Sequence, residues 1–339
     1  MKHQHLKNFL RACCALSLAA AAFAADRIEL TDGSVVQGKL LSAGGGKFKV
    51  ETAFAGTIVI AQDQIKSFQT DAPVNVRTAN GMALGQVQSA GPNITVTSGS
   101  DRLTSSPAQV TAIWRQGEDS PDARRWQYEA SLLITGRTGG SEKFAGALGF
   151  KATLESPQDK LVFALQAEKA KDNGVETANR QFASADYSAF VSPNNLWYAR
   201  TSLEKDEIKA LDLRSTTAVG IGRKLIKNPV QDLELRAGLS YVYESYANGK
   251  HFDSPGLDLG LIHSYQFATG RLANSLTYTP AFKDFSNYRI HHESTFEMPI
   301  TASLWKLRAG VANDYISIPQ PGVERLDTLY FTSLILNWK

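Results

Sequence analysis

The sequence has almost no cysteine, the residue whose disulfides stabilise many small exported domains, and it has no long apolar runs. Its 339 residues include only two cysteines, Cys13 and Cys14, both near the N-terminus. No later stretch reaches the roughly eighteen consecutive apolar residues that a transmembrane helix requires. These absences exclude a bundle of membrane-spanning helices and leave strands as the way through a membrane.

Motifs for common cofactors are also missing. The chain has no glycine-rich phosphate loop and no Cys/His cluster with metal-ligand spacing, so we expect no cofactor. Its 36 Lys and Arg and 33 Asp and Glu are scattered along the chain and give a net charge of +3. Without a basic stripe, nucleic acid is not an expected partner.

The first 24 residues follow the pattern of a secretory signal peptide. Lys2, Lys7 and Arg11 form a positive region, and the apolar stretch that follows is too short to span a bilayer. An A-x-A cleavage signal ends at Ala24, which predicts a mature chain that begins at Ala25. Both cysteines would be removed, so the exported protein would contain no disulfide.

Residues 126–339 have the pattern of an outer-membrane β-barrel. About twelve segments of roughly ten residues alternate apolar with polar side chains. In 233–241 the odd positions are apolar and the even ones are polar or small. Because charged residues occupy the second face of strand after strand, we predict a transmembrane antiparallel barrel with its polar face inward, rather than a soluble sandwich. The predicted strands are 126–138, 143–154, 159–170, 178–191, 195–205, 210–225, 230–246, 256–267, 272–283, 287–298, 302–315 and 326–338.

The connections between these segments alternate between short and long. The short ones contain turn-forming residues, as in Ser156-Pro157 and Asn228-Pro229, whereas 171–177, 247–254 and 317–325 are longer and polar. An even strand number with short periplasmic turns and long outer loops is typical of bacterial outer-membrane barrels. We therefore expect the protein in the outer membrane of a Gram-negative bacterium, with its N-terminus in the periplasm.

The last predicted strand resembles an assembly signal. Tyr330, Leu334, Leu336 and Trp338 lie on one face, and such an alternation ending in an aromatic residue is similar to the signal read by the barrel assembly machinery. Lys339 departs from that pattern, which ends on the aromatic residue. Expected partners are this machinery, outer-membrane lipid and lipopolysaccharide.

Residues 25–116 form a different unit, an all-β domain with two internal repeats. The segment 28–40 is echoed by 74–87, and each contains a turn dipeptide, Asp32-Gly33 or Asn80-Gly81, between short alternating strands. Each half is predicted to be a small module of roughly forty-five residues that resembles SH3-like or Sm-like folds.

The placement of this unit in the periplasm leaves its role open. A polar linker, 117–125, joins it to the barrel. We expect a plug or spacer, and the alternative is a contact with peptidoglycan or another periplasmic partner.

Charged residues of both signs fall on the polar face of the barrel strands. A twelve-stranded barrel is narrower than sixteen- to eighteen-stranded porins, so these charges either pair across the interior or border a narrow pore, and we expect a narrow or partly filled lumen. Arg289, Lys306 and Arg308 on adjacent strands could form a wall selective for anions. The candidate lumen-lining residues are Arg137, Arg200, Arg214, Glu234, Arg236, Arg289, Glu293, Lys306 and Arg308.

Three stretches carry a resemblance to a known family. The runs 126–130, 136–140 and 334–338, with a G-x-T-G-G first hairpin, resemble the YdiY-like, salt-induced outer-membrane proteins, a domain of unknown function. The resemblance covers the barrel segment. It implies a cell-envelope barrel with no assigned chemistry, and no functional residue can be carried across.

An enzymatic alternative rests on three histidines, because a twelve-stranded outer-membrane phospholipase uses His, Ser and Asn on its outer wall. The candidates are His263-Ser264 and His291-His292 with Ser294. Successive residues point to opposite faces of a strand, so His263 and Ser264 cannot pair. His292 and Ser294 share a face, but the sequence shows no partner that would orient the base. We therefore do not expect an enzyme.

Three functional hypotheses follow. The leading one is an integral outer-membrane barrel with a structural or osmotic and salt-stress role in the cell envelope, and with at most a narrow solute pore. The second is a selective porin or transporter for small anionic solutes, which conductance would distinguish. The third is a lipid-modifying enzyme, which phospholipid turnover would reveal.

Overall fold

The computed structural model describes residues 25–79, 81–90, 93–99, 101–137, 142–301 and 304–339. The chain divides between Ala123 and Arg124 into two compact units. The predicted signal peptide, residues 1–24, lies outside the described residues. No helix among the described residues has the length and apolar character needed to cross a membrane.

The first unit contains ten strands in two repeats of the same order. Within each repeat, a 3-10 turn, Gln62–Gln64 or Pro107–Gln109, precedes the fifth strand. The strands are β1 (Asp26–Leu30), β2 (Val35–Gly44), β3 (Lys47–Thr52), β4 (Gly56–Ala61), β5 (Ile65–Gln69), β6 (Val74–Thr78), β7 (Gly81–Ala90), β8 (Asn93–Ser98), β9 (Asp101–Ser105) and β10 (Val110–Arg115).

Strict alternation gives these short strands a buried face. In β3, for example, Phe48 and Val50 are fully buried while the lysines beside them are exposed, as the two-residue period of a strand requires. The connection between β1 and β2 differs from the predicted two-residue turn. Glu29 pairs with Val35, so the loop is longer, and Gly33 takes a φ of 89° within it.

Strand β10 joins the two repeats. It pairs with β6 of its own repeat and with β2 of the first, and the resulting sheet runs β4-β3-β2-β10-β6-β7-β8-β9, with β1 attached to β2 and β5. One hydrophobic core contains Phe48 and Phe68 from the first repeat and Val76 and Val96 from the second. The two predicted halves therefore share one sheet and one core, and the unit is a single β domain with two internal repeats.

A buried carboxylate ties the first strand of this unit to the last. Asp26 is 3% exposed and accepts hydrogen bonds from the backbone N–H groups of Leu40, at 2.6 Å, and Asp71, at 2.9 Å. Arg115 in β10 donates to the same carboxylate at 2.6 Å. One side chain thus satisfies three donors from different parts of the sheet.

The second unit is a closed antiparallel barrel of twelve strands, which confirms the predicted fold class. Its strands are β11 (Arg125–Arg137), β12 (Lys143–Glu155), β13 (Asp159–Asp172), β14 (Val175–Phe190), β15 (Asn195–Asp206), β16 (Leu211–Lys227), β17 (Gln231–Tyr246), β18 (His251–Gln266), β19 (Arg271–Ala281), β20 (Asp284–Pro299), β21 (Trp305–Ile316) and β22 (Leu326–Trp338).

The outer face of the barrel is apolar along its middle. Outward residues such as Leu148, Ile221 and Leu239 are exposed, although they would be buried in a soluble protein. A surface of this kind fits the hydrocarbon of a membrane.

Three connections at one end of the barrel were predicted to be long, but only 317–325 is. The predicted loops 171–177 and 247–254 shrink to 173–174 and 247–250, because the strands continue to pair there, as Lys171 does with Glu176 and Ser245 with His251. We call this end of the barrel the 317–325 end.

Aromatic side chains form a cluster near each end of the outer face. At the end opposite 317–325, the ring of Tyr128 stacks on Trp126 and Trp338, with centroids 5.8 and 5.6 Å apart. At the 317–325 end, Tyr288 and Tyr315 stack at 5.7 Å. Two such levels are the aromatic girdles expected where a barrel crosses the interfaces of a bilayer.

Replacing Asp26 by Asn should destabilise the first unit. The amide cannot accept from all three donors and leaves the charge of Arg115 without its partner, which costs about 3 kcal/mol for a buried pair. Amide hydrogen exchange of the full chain should show faster exchange in β2 and β10, and no change in the barrel strands. Asp63→Asn, at an exposed position of the first 3-10 turn, is the matched control. Equal protection in the two variants would contradict the role of Asp26.

Candidate functional site in the barrel lumen

The inward faces of the barrel enclose a cavity of about 1510 Å³. It opens at the 317–325 end, where Tyr246, Lys283 and Pro319 border it, and its lining reaches along the strands to Asp186 and Arg308. The cavity therefore occupies the part of the lumen nearest that end.

The rest of the lumen, toward the opposite end, is filled by side chains. Leu196, Tyr198 and Ile335 point inward and are at most 1% exposed. Two glycines make room for the Tyr198 ring, because a Cβ atom at Gly238 would lie 2.7 Å from its hydroxyl oxygen and one at Gly220 would lie 2.8 Å from its Cε1 atom. The lumen is therefore a closed-ended cavity.

Asp258 is the centre of the filled region. This carboxylate is 1% exposed and accepts hydrogen bonds from the Tyr198 hydroxyl, at 2.7 Å, and from both Nε, at 3.2 Å, and Nη2 of Arg200. Strands β15 and β18 are not neighbours in the barrel, so these bonds cross the lumen. A buried carboxylate requires such a set of donors to remain charged.

Arg236 adds a second crossing. Its guanidinium donates to Asp186 of β14 and to Glu234 of its own strand, both at 2.7 Å, and lies 4.8 Å from the ring centroid of Tyr198. Together with the bonds of Asp258, it joins β14, β15, β17 and β18 across the interior. Arg200, Glu234 and Arg236, which were expected to line a pore, instead form hydrogen bonds within the filled region.

Ion pairs also span the open cavity. Glu204 lies 2.9 Å from Arg180, 3.0 Å from Arg214 and 3.4 Å from Arg289. Arg289 and Asp314 are 2.9 Å apart. Because β15 and β20 are the fifth and tenth of twelve strands, the contact between Glu204 and Arg289 bridges opposite walls of the cavity.

The expected anion-selective wall is not free to bind solute. Besides the pairing of Arg289, Arg308 contacts Glu129 at 2.9 Å and also bonds Glu297, while Lys306 lies 3.4 Å from Glu297. Each of the three cations thus has a carboxylate partner. A selective wall would require a surplus of cations.

The remaining predicted lumen residues fall into different places. Arg200, Arg214 and Glu293 border the cavity, whereas Glu234 and Arg236 lie in the filled region. Arg137 is exposed at the end of β11 and does not border the cavity. Sequence reasoning missed Tyr198 and Glu297. The sequence could have indicated Tyr198, because Gly220 and Gly238 fall on the polar faces of the next two strands and leave room there for a large ring.

The residues of the predicted assembly signal lie on the outer face. Tyr330 is 79% exposed, and Trp338 stacks on Tyr128 of the first barrel strand. Leu334 and Leu336 pair with Leu132 and Ala130. Apart from Tyr330, the predicted assembly signal thus lies in the part of β22 that pairs with β11 and closes the barrel.

Two of the histidines considered for catalysis contact amides, and His291 Nδ1 instead lies 2.9 Å from the carboxylate of Asp314. His292 Nδ1 lies 3.0 Å from Asn313 Nδ2, and His263 Nδ1 lies 3.0 Å from Asn274 Nδ2. Ser294 donates its hydroxyl to Asn274 at 2.5 Å, so it is not directed at a base as a nucleophile would be. The described part of the chain also holds no group of three side chains suited to a metal ion.

Asp258→Asn should loosen the filled region of the lumen. Arg200 would keep a buried charge without its carboxylate, at a cost of about 3 kcal/mol. The urea midpoint of the folded barrel, followed by heat-modifiable gel mobility, should fall, and Asp212→Asn, at an exposed position, should leave it unchanged. An unchanged midpoint for Asp258→Asn would show that the crossing bonds contribute little.

The barrel also matches a family model and several solved structures. A model described as "Protein of unknown function, DUF481" matches residues 130–338. No curated protein matches the chain. A KdgM porin is similar at 13% identity and a TM-score of 0.33, covering 63% of this chain and 96% of the porin.

Two further structures show a similar level of likeness. A NanC porin has 12% identity and a TM-score of 0.35, over 63% of this chain and 98% of the porin. The translocator domain of the autotransporter NalP from Neisseria meningitidis has 10% identity and a TM-score of 0.34, over 66% of this chain and 90% of that domain. These similarities concern architecture and identify no ligand.

Proposed function

Because the chain belongs to the DUF481 family of proteins of unknown function, whose model matches residues 130–338, we propose a function from the geometry of its lumen. The protein is an integral outer-membrane barrel of the Gram-negative envelope, closed to free diffusion on one side and open as a cavity on the other. Its role is structural or related to osmotic and salt stress, with at most a narrow, gated passage for small solutes.

The observation that carries this proposal is the filled part of the lumen. Leu196, Tyr198 and Ile335 are packed there with at most 1% of their surface exposed, and Asp258 bonds across the interior. An open porin needs a continuous aqueous path, and side chains packed across the lumen remove it. The cavity at the 317–325 end is then a recess rather than part of a channel.

The orientation of the barrel follows from the proposed periplasmic start of the chain. With an even number of strands and both termini of the barrel in the periplasm, the connections after β11, β13, β15, β17, β19 and β21 would lie outside, so the cavity at the 317–325 end would open to the exterior. The first unit would then lie in the periplasm, where it would act as a spacer or bind peptidoglycan. Outer-membrane lipid and lipopolysaccharide would surround the apolar face, and the assembly machinery would bind the last strand.

A selective porin for anionic solutes is the weaker alternative. Its candidate cations Arg289, Lys306 and Arg308 are paired with carboxylates. Net attraction for an anion would therefore require these pairs to separate first, which costs free energy for partly buried charges.

Planar-bilayer conductance tests the closed lumen. The refolded mature protein should show almost no steady current, whereas the double variant Leu196→Ala/Tyr198→Ala, which removes the filling, should show more. Trp197→Ala is the matched control, because Trp197 lies between the two on the outward face and is 41% exposed. Heat-modifiable mobility verifies that each barrel is folded. A large ohmic current through the unaltered protein would refute the proposal.

Labelling of single cysteines in intact cells tests the orientation. A membrane-impermeant maleimide should react with Asn248→Cys, in the connection 247–250 after β17, and not with Asn228→Cys, in the connection 228–230 after β16. Ala53→Cys, at an exposed position of the first unit, should also be protected until the cells are lysed. The natural cysteines lie in the predicted signal peptide, which keeps the background low. Labelling of Asn228→Cys or Ala53→Cys before lysis would contradict the proposed orientation.

A further inference from the structure

The barrel wall is only partly closed between its first and last strands. Strand β11 pairs with β22 from Tyr128 opposite Trp338 to Leu132 opposite Leu334, and no further. The same strands pair along their whole length, or nearly so, with their other neighbours, β12 and β21. Residues 133–137 and 326–333, all described in the structure, are therefore strand edges that face each other without a backbone ladder. We call this gap the seam slot.

The seam slot lies at the depth of the membrane interior. On strand β21, Tyr315 belongs to the aromatic cluster at the 317–325 end and pairs with Leu326. Trp305 lies near the aromatic cluster at the opposite end and pairs with Leu336. The slot extends from 326 to 333 and so falls between these levels. Unpaired backbone groups at hydrocarbon depth are tolerated only where they are buried in protein or line a water-filled cavity.

The lumen cavity reaches the seam slot. Five consecutive residues of β22, Leu329 to Ser333, border the cavity, as do Leu133 and Thr135 of β11. The cavity therefore borders both strand edges of the seam slot, at the level where no backbone ladder joins β11 to β22. The seam slot is thus the place where the wall between the cavity and the membrane lacks backbone hydrogen bonds.

The cavity is amphipathic, and its apolar side adjoins the slot. Leu133, Leu329 and Phe331 flank the opening on the inside, beside the small residues Ala147 and Ala312. The charged groups of the cavity, including Glu204 and its arginine partners, belong mainly to other strands. A ligand that fits both surfaces has an apolar chain toward the slot and a polar group toward the charged wall.

A tether across the lumen holds the free part of β22. Lys209, in the turn between β15 and β16, lies 2.7 Å from Asp327 near the start of β22. Lys209 is also 3.5 Å from Asp206, at the end of β15. The last strand is therefore bonded to the far side of the barrel at the level where it has no ladder with β11.

We propose that the seam slot is a lateral portal through which the acyl chain of a lipid-like amphiphile enters the cavity from the surrounding membrane. The polar group of the amphiphile would lie in the cavity, and its chain would extend through the slot past Ile134 and Tyr330, which are 66% and 79% exposed. This inference rests on the proposed placement of the barrel in the outer membrane. It extends that function from a closed barrel to a site for membrane amphiphiles.

Photolabelling with a palmitic acid that carries a diazirine on its chain close to the carboxylate tests the portal, because this part of the chain would lie inside the cavity. The mature protein is refolded into phosphatidylcholine vesicles, and labelled positions are mapped by mass spectrometry. We expect labels on inward residues beside the slot, such as Ala147 and Phe331, in addition to outward residues such as Leu165. Labels confined to outward residues would refute the portal.

A disulfide across the seam slot should close it. Ile134→Cys and Thr332→Cys continue the register two positions beyond Leu132 and Leu334, and the oxidised pair should lose the inward labels that its reduced form shows. Ala130→Cys/Leu336→Cys, at positions that already pair, is the matched control and should keep them. Inward labels that persist in the stapled protein would overturn the proposal.

Two additional readouts keep the test decisive. If the staple does not oxidise, Ala147→Trp and Ala312→Trp, which fill the inner mouth of the slot, should remove the inward labels, and their persistence would refute the portal. A disulfide between two chains, seen on a non-reducing gel, would show that the slot pairs with a second copy instead. Conductance is measured on the same preparations, so that the two proposals can fail separately. A steady current would refute the closed lumen, whereas the absence of inward labels would refute the portal.

Discussion

Backbone hydrogen bonding in an apolar solvent is the constraint on which the barrel depends. A strand in hydrocarbon has no water to satisfy its N–H and C=O groups, so each strand must pair with a neighbour on both sides. The antiparallel order from β11 to β22 meets this requirement for every pair of sequential neighbours. The closing pair meets it only from Tyr128 to Leu132. The aromatic stack of Tyr128 and Trp338 lies at this short ladder and adds side-chain packing where few backbone bonds are made.

Charge inside a narrow barrel imposes the second constraint. Where side chains fill the lumen, an inward Arg or Glu has no water to solvate its charge and must find a partner within the lumen or lose free energy on burial. Asp258 with Arg200, and Glu204 with Arg214, meet that requirement through bonds that cross or follow the inner wall. The pairs cancel one another's charge, which explains why a nearly balanced sequence does not produce a charged channel. They also connect strands that share no backbone bonds.

The strand layout of the barrel could be predicted because its cause is local. Alternation and turn residues are properties of ten or so neighbouring positions, and the predicted strands agree with the structure to within a few residues. The start of β18 differs most, because Pro255 was read as part of a loop. In the structure β18 runs beyond the end of β19, so the missing N–H of Pro255 faces no partner strand there. In β16, a register shift between Leu211 and Leu213 turns Asp212 away from the lumen and Arg214 into it, which simple alternation cannot foresee.

The partners across the lumen could not be predicted, since they depend on strand stagger rather than on spacing in the chain. Nothing local indicates that Glu204 meets Arg289 or that Asp258 meets Tyr198. The same holds in the first unit, where the repeats are visible in the sequence but the pairing of β10 with β2, which merges them, is not. Local patterns determine which residues face inward, while closure of the sheet determines which of them meet.

The filled lumen and the seam slot follow from one distribution of side-chain size. Large inward residues, Leu196, Tyr198 and Ile335, lie toward the end opposite 317–325, where the ladder between β11 and β22 is intact. Where that ladder is absent and the cavity begins, the inward residues are mixed in size, because Ala147 and Ala312 lie beside Leu329 and Phe331 and leave space between them. Packed side chains can brace a closed wall, whereas an empty cavity provides no such support and leaves water to solvate free strand edges. The end of the packing and the end of the ladder therefore mark the same level of the barrel, and an opening to the side is a consequence of leaving that level unfilled.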